Sequence, residues 1–372
     1  MKLKNILPVS IALSICIVSC QKKEGCTDTR ALNYDQDAEK FDNSCEYGPI
    51  YSVPETYSFE NVKYSGQTAR LQLLKALSDK IGEASNTNAL SEQELIDIFE
   101  NSNSLFGSTK NLSGKVYDID LQMFYDWFAE LSALTNNATG QEIDDRYYNA
   151  DGVEIKQMVE KGLMGAVFYY QAASNYLEGI SSADNIIVED GEGTSMEHNF
   201  DEAFGYFGIP IDFKTNNESE GDFTTTSWYW GKYCIGRDAQ LGNRNTIFDA
   251  FLTCRAAISE NDYSTRDNQI TIIRNNWELI NAANVVHYIN KVNGDISSGN
   301  LGDKYHHWSE GKAFVMCFKY NIGKKISDAD LTRVDNAFGA NPGVVKTTSD
   351  FDSALQILKD TYGFTDSQML NL

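Results

Sequence analysis

The chain contains four histidines, and two of them open the same five-residue pattern. "HNFDE" runs from His198 and "HHWSE" from His306, each reading His, any residue, an aromatic, any residue, Glu. On a helix, residues four apart share a face, so His198 lies over Glu202 and His306 over Glu310. Two imidazoles and two carboxylates from facing helices form a mixed nitrogen and oxygen donor set that suits iron, with zinc and manganese as alternatives. Asp201 would back such a centre or join it. The competing arrangement is an internal ion pair in each motif, His and Glu satisfying one another or a neighbouring Arg, and the residues leave both open. His287, in "NVVHYIN", could point at the same centre from the preceding helix. Arg255, in "CRAAI", reads as the partner of a buried acid, because a buried guanidinium requires one.

The elements that must carry these residues are helical. Leu71, Leu74, Leu77 and Ile81 recur at three- and four-residue steps, the stripe of a helix with one buried face. Helix starts are marked where a side chain can accept from an orphan amide: Ser91 with Glu94, Ser327 with Asp330, Thr365 with Gln368. Only five prolines interrupt the chain, so long helices are expected over 153–180 and 264–293. Polar loops are expected over 188–195 and 293–303, and a short extended segment over 57–64. Each long helix is thus followed by a loop and then by a His-x-aromatic-x-Glu stretch. A duplicated half-domain accounts for this order. The expected fold is an all-α bundle of two pseudo-symmetric halves, about 57–215 and 222–372, packed so that both motifs meet at one interface.

The front of the chain is of another kind. Lys2 and Lys4 precede an apolar run of about 13 residues, too short for the roughly 20 that span a bilayer, and Ser19-Cys20 follows where a lipoprotein signal is cleaved. The expected organisation is a signal peptide over 1–19, a lipid-anchored acidic module over 20–48 beginning at Cys20, and a helical domain over 49–372. Removing 1–19 takes away Lys2 and Lys4, so the net charge of −22 becomes −24. Such a surface repels phosphate backbones and excludes nucleic acid as a partner. In the module, Asp28, Asp35, Asp37 and Asp42 offer oxygen ligands to calcium, or else form a solvated spacer. Cys234, Cys254 and Cys317 lie in no Cys-x-x-Cys pair, so zinc-ribbon and redox sites are excluded; a Cys234–Cys254 bridge and three buried thiols both remain open. No nucleophile elbow, phosphate loop or His-Glu-x-x-His helix occurs, and nothing supports an enzyme. The aromatic run "SWYWGKY" over 227–233 fits a sugar-stacking platform or, more ordinarily, a packed helix junction.

Several stretches resemble known families. "GCTDTRALNYDQDAEKFDNSCEY", residues 25–47, resembles a small module of secreted Bacteroidota proteins, which implies pairing of Cys26 with Cys45, and the preceding Gln21–Gly25 resembles an outer-membrane export tag. "YSGQTARLQLLKAL", "HNFDEAFGYFG", "AFLTCRAAI", "WELINAANVVHYIN" and "HHWSEGKAF" together resemble a Bacteroidota lipoprotein family defined by a domain of unknown function. Phe200 stands there in place of Trp and Cys254 in place of Gly. More remotely, two helical halves with a His-plus-acid motif are similar to the imelysin family, whose motif is Gly-x-His-x-x-Glu. Here Met196 and Lys304 occupy the Gly position, and the acid position holds Asp201 in one copy and Ser309 in the other. That resemblance implies iron or haem handling in the envelope, at the periplasmic face or cell surface, beside a TonB-dependent receptor. An imelysin-type metallopeptidase is an alternative. "AFGYFGIPI" at 203–211 is similar to a helix end of SusD-like lipoproteins, which would imply glycan binding.

Overall fold

The computed structural model describes residues 22–29, 31, 33–46, 48 and 51–372; the expected signal peptide and the lipid-bearing Cys20 lie outside the described residues. The chain divides into two compact units, one ending at Tyr51 and the other spanning Ser52–Leu372. The first is held by cross-links rather than by a core. Cys26 and Cys45 form a disulfide, and β1 (Glu24–Gly25) pairs in parallel with β2 (Lys40–Phe41). Among the expected calcium ligands, Asp35 and Asp37 instead approach Lys23 Nζ, at 2.8 and 3.8 Å, and Asp42 accepts from the Ser44 amide. No metal-binding group of three gathers among the described residues of this unit.

The second unit is helical. Its first helices are α1 (Ser65–Ile81), α2 (Glu92–Phe99) and α3 (Leu121–Asn136). A hairpin, β3 (Gln141–Ile143) with β4 (Arg146–Tyr148), leads to α4 (Ile155–Leu163). This helix widens into a π-helical stretch over Met164–Tyr176 and closes as α5 (Leu177–Gly179). A second hairpin, β5 (Val188–Glu189) with β6 (Gly193–Thr194), precedes α6 (Ser195–Phe207). Then come α7 (Trp230–Leu241), α8 (Arg244–Ser259), α9 (Tyr263–Ser298), α10 (Leu301–Cys317), α11 (Asp328–Phe338), α12 (Asp352–Tyr362) and α13 (Asp366–Asn371). Ser91, Ser327 and Thr365 cap α2, α11 and α13 as their spacing predicts.

Helix α9 packs along both α8 and α10, α10 packs along α4, and α6 packs on the π-helical stretch. Both motif helices therefore lean on the one long helix that starts at Ile155. Its π stretch has a cost, since a change from i→i+4 to i→i+5 bonding disturbs the pairing of backbone carbonyls. Two carbonyls there take donors from outside the helix: Met164 O accepts from Trp230 Nε1 at 2.9 Å, and Ala166 O from the Tyr117 amide at 2.9 Å.

The loop expected over 293–303 and the extended segment expected over 57–64 are corrected. Residues 293–303 are not a loop: α9 runs to Ser298, and only Gly299, at φ 75°, and Asn300 separate it from α10. The apolar stripe continues through Ile289, Val292 and Ile296, which keeps the polar "NGDISS" run helical. Residues 57–64 contain no strand; they form a turn that is pinned by side chains. The 188–195 segment is largely the tight second hairpin. Cys234, Cys254 and Cys317 are all free and buried, so no bridge joins Cys234 to Cys254.

Gly231 sits where the start of α7 crosses the end of α6, and a Cβ there would lie 2.4 Å from the Gly208 carbonyl oxygen. Backbone cannot yield as a flexible side chain can. Gly231→Ala should therefore destabilise the protein by about 1–3 kcal/mol, read as a lower urea midpoint at unchanged slope.

Candidate functional site

Glu154 immediately precedes α4 and is buried. Its amide donates to Ser309 Oγ at 2.9 Å, which fixes the start of α4 against α10. The Glu154 carboxylate then meets His306: Nδ1 lies 2.6 Å from Oε2. A carboxylate only accepts, so Nδ1 carries a proton and leaves Nε2 as the nitrogen turned to other partners. That nitrogen faces Glu310 Oε2 at 3.3 Å. The neighbouring His307 is held in the same way, its Nδ1 lying 2.7 Å from Asp295 Oδ2 at the end of α9. One ligand atom from each of His306, His307 and Glu310 lies within 4.8 Å of the others.

The other oxygen of Glu310 is also engaged. Lys161 Nζ lies 3.2 Å from Glu310 Oε1 and donates to Gln157 Oε1 at 2.6 Å and Glu160 Oε1 at 2.7 Å. Burial alone would raise the Glu160 carboxyl, but Lys161 beside it brings the pKa down to about 2. Burial would likewise lower the Lys161 ammonium, yet Glu160 and Glu310 hold it well above its ordinary value. The cluster thus gathers four carboxylates, Glu154, Glu160, Asp295 and Glu310, and Lys161 is not their only cation: Lys156 also acts on Glu160, Arg146 on Glu154 and Arg237 on Glu310.

The first motif has different surroundings. His198 Nε2 is 3.9 Å from Glu202 Oε1, which accepts from Gln67 Nε2 at 2.6 Å. His198 Nδ1 is buried without a hydrogen-bond partner. Asp201 is wholly buried and accepts from Tyr57 Oη at 2.7 Å and Arg255 Nε at 2.9 Å. Arg255 also donates to Glu197 Oε1, Ser259 Oγ and the Glu60 carbonyl. Burial pushes Asp201 up to about 6 against the pull of Arg255 and Tyr57. This network clamps residues 57–63 onto α6 and α8.

The four ligands expected from the sequence therefore do not form one donor set. His306 and Glu310 come together with His307, while His198 and Glu202 belong to a separate cluster. Asp201 and Arg255 pair with each other. His287 accepts from Arg237 Nη1 at 2.9 Å, and burial together with that guanidinium holds it neutral, with a pKa of about 3. Sequence reasoning missed His307, Glu154, Lys161 and Asp295. The His306–His307 doublet was visible, but nothing local marks Glu154 or Lys161, which meet their partners across roughly 150 residues of chain. Trp228, Tyr229 and Trp230 are all buried, so the aromatic run packs in the core and offers no exposed platform.

Fold and site define an all-helical protein whose second motif helix carries a His-His-Glu cluster backed by carboxylates. Residues 131–336, more than half of the chain, match the family described as a domain of unknown function (DUF4856), and the protein belongs to that family. The match holds both motif helices as well as Glu154, Lys161 and Asp295. No curated protein and no solved structure matches the chain.

Two outcomes follow from the clusters. Arg255→Met leaves Asp201 and Glu197 without their cation, and should cost about 3–5 kcal/mol in urea unfolding. For Glu160 the folded pKa lies below its ordinary value of 4.5. Its contribution is therefore complete above about pH 4.5 and disappears as the pH falls towards 2. Stability should drop by on the order of 3 kcal/mol across that window, and Glu160→Gln should flatten the profile.

Proposed function

We propose that the protein is a lipid-anchored envelope protein that binds a divalent transition metal, iron first, through His306, His307 and Glu310. The observation that carries this reading is the pair of imidazoles whose Nδ1 atoms are held by Glu154 and Asp295, which leaves both Nε2 atoms for a metal beside the Glu310 carboxylate. Carboxylate-backed imidazoles are the usual arrangement around bound metals, because the second hydrogen bond sets both tautomer and ring orientation. A proton on His306 Nε2 would satisfy the contact with Glu310 alone. A metal ion would satisfy all three residues together. Anchoring through Cys20 and a role in iron or haem uptake beside a TonB-dependent receptor complete the proposal.

Elemental analysis of the full chain in detergent, after incubation with iron, zinc or manganese and desalting, tests the metal reading. About one metal per chain is expected in the wild type, with a loss of at least tenfold in affinity in His306→Ala and in His307→Ala. His198→Ala should retain the metal. Equal loss in all three variants, or no metal in the wild type, would count against the site.

A further inference from the structure

We infer that a metal held here keeps exchangeable coordination positions and takes a small, singly charged anion from solvent, with Lys161 as the residue that leaves room for it. This rests on the metal reading above.

Three features support it. First, no fourth His, Cys, Asp or Glu joins His306, His307 and Glu310 in the cluster among the described residues. Three protein ligands leave at least one position of a four-, five- or six-coordinate ion to water or to an added ligand, as in open metal sites. Second, the two oxygens of Glu310 are not equivalent. Its Oε1 forms an ion pair at 3.2 Å with Lys161 Nζ, which also donates to Gln157 and Glu160. The lysine is buried and cannot swing away without leaving Glu160 unpaired. A metal bound through Oε2, the oxygen that faces His306, would leave the Lys161 ion pair intact and the position of a chelating carboxylate free. Third, the two imidazoles keep side-chain exposures of 18% and 19% against 8% for Glu310, so the cluster opens to solvent on its histidine side.

Charge selects the ligand. A divalent ion with one carboxylate and two neutral imidazoles carries a net +1, and Glu154 and Asp295 act on it only from beyond the imidazole rings. A single anion completes neutrality at the metal, whereas a dianion would leave it with a net negative charge.

The test uses cobalt(II), whose visible bands report coordination number, and azide as the probe anion. The full chain in detergent is loaded with cobalt, desalted and titrated with azide. Saturable band shifts are expected in the wild type. Lys161→Met alone strands Glu160, so the comparison is the Glu160→Gln, Lys161→Met pair, which removes both charges together. With Oε1 released to chelate, this variant should keep its cobalt but bind azide about tenfold more weakly. Cobalt uptake with bands that ignore azide overturns the inference while leaving metal binding intact. Unchanged azide affinity in the double variant overturns the part given to Lys161. No cobalt uptake by the wild type removes the metal reading itself, and with it this one.

Discussion

A lysine ammonium buried between two helices governs the second half of this molecule. Lys161 lies in α4, which is buried on nearly every side, and its charge can be satisfied only by Glu160 on the same helix and Glu310 on α10. A buried pair of this kind adds little net stability compared with apolar packing, but leaving either partner unmatched is expensive. The contact therefore sets the register of α10 against α4. Once that register is set, Ser309 meets the Glu154 amide and His306 meets the Glu154 carboxylate. The turn at Gly299–Asn300 then brings His307 to Asp295.

The two His-x-aromatic-x-Glu stretches differ at one position that separates their surroundings. Three residues after each histidine stands Asp201 in one copy and Ser309 in the other. The aspartate, sunk into the core, demands a cation, and Arg255 supplies it together with the Tyr57 hydroxyl. The serine makes no such demand; its hydroxyl accepts from an amide and donates to the Tyr305 carbonyl. The motif glutamates diverge accordingly, with Glu202 facing a neutral amide on Gln67 and Glu310 facing Lys161. The same five-residue pattern thus sits in two settings, one clamped by Arg255 and the other tied to Glu154 and Lys161.

Much of the fold was legible because its causes are local. Stripe spacing located the long helices, and side chains three residues ahead of an amide located the caps of α2, α11 and α13. Where a polar sequence hides an apolar stripe, as in "NGDISS", local polarity was misleading and the helix continued. The site was half legible for a related reason. Residues four apart on one helix are neighbours by geometry alone, so the pairing of His306 with Glu310 could be read. Glu154, Lys161 and Asp295 join only through packing between elements, which no spacing within a segment encodes.

The aromatic run at 227–233 shows where such side chains are used instead. A π-helical stretch inside a packed core leaves carbonyls that need donors, and indole offers one N–H on a large apolar ring, so Trp230 can fill the core and serve the Met164 carbonyl together. Tyr229, at φ 46° and ψ −111°, holds a backbone conformation that is costly for a side chain of its size. It does so where Trp228 N bonds the Gly208 carbonyl and α7 must start at once, with no room for a longer turn. The aromatic residues are thus committed to holding the widened helix in place, and that helix is the continuation of α4. The rings maintain the support on which Lys161 and Glu154 are mounted, since the Met164 carbonyl served by Trp230 lies one turn beyond Lys161.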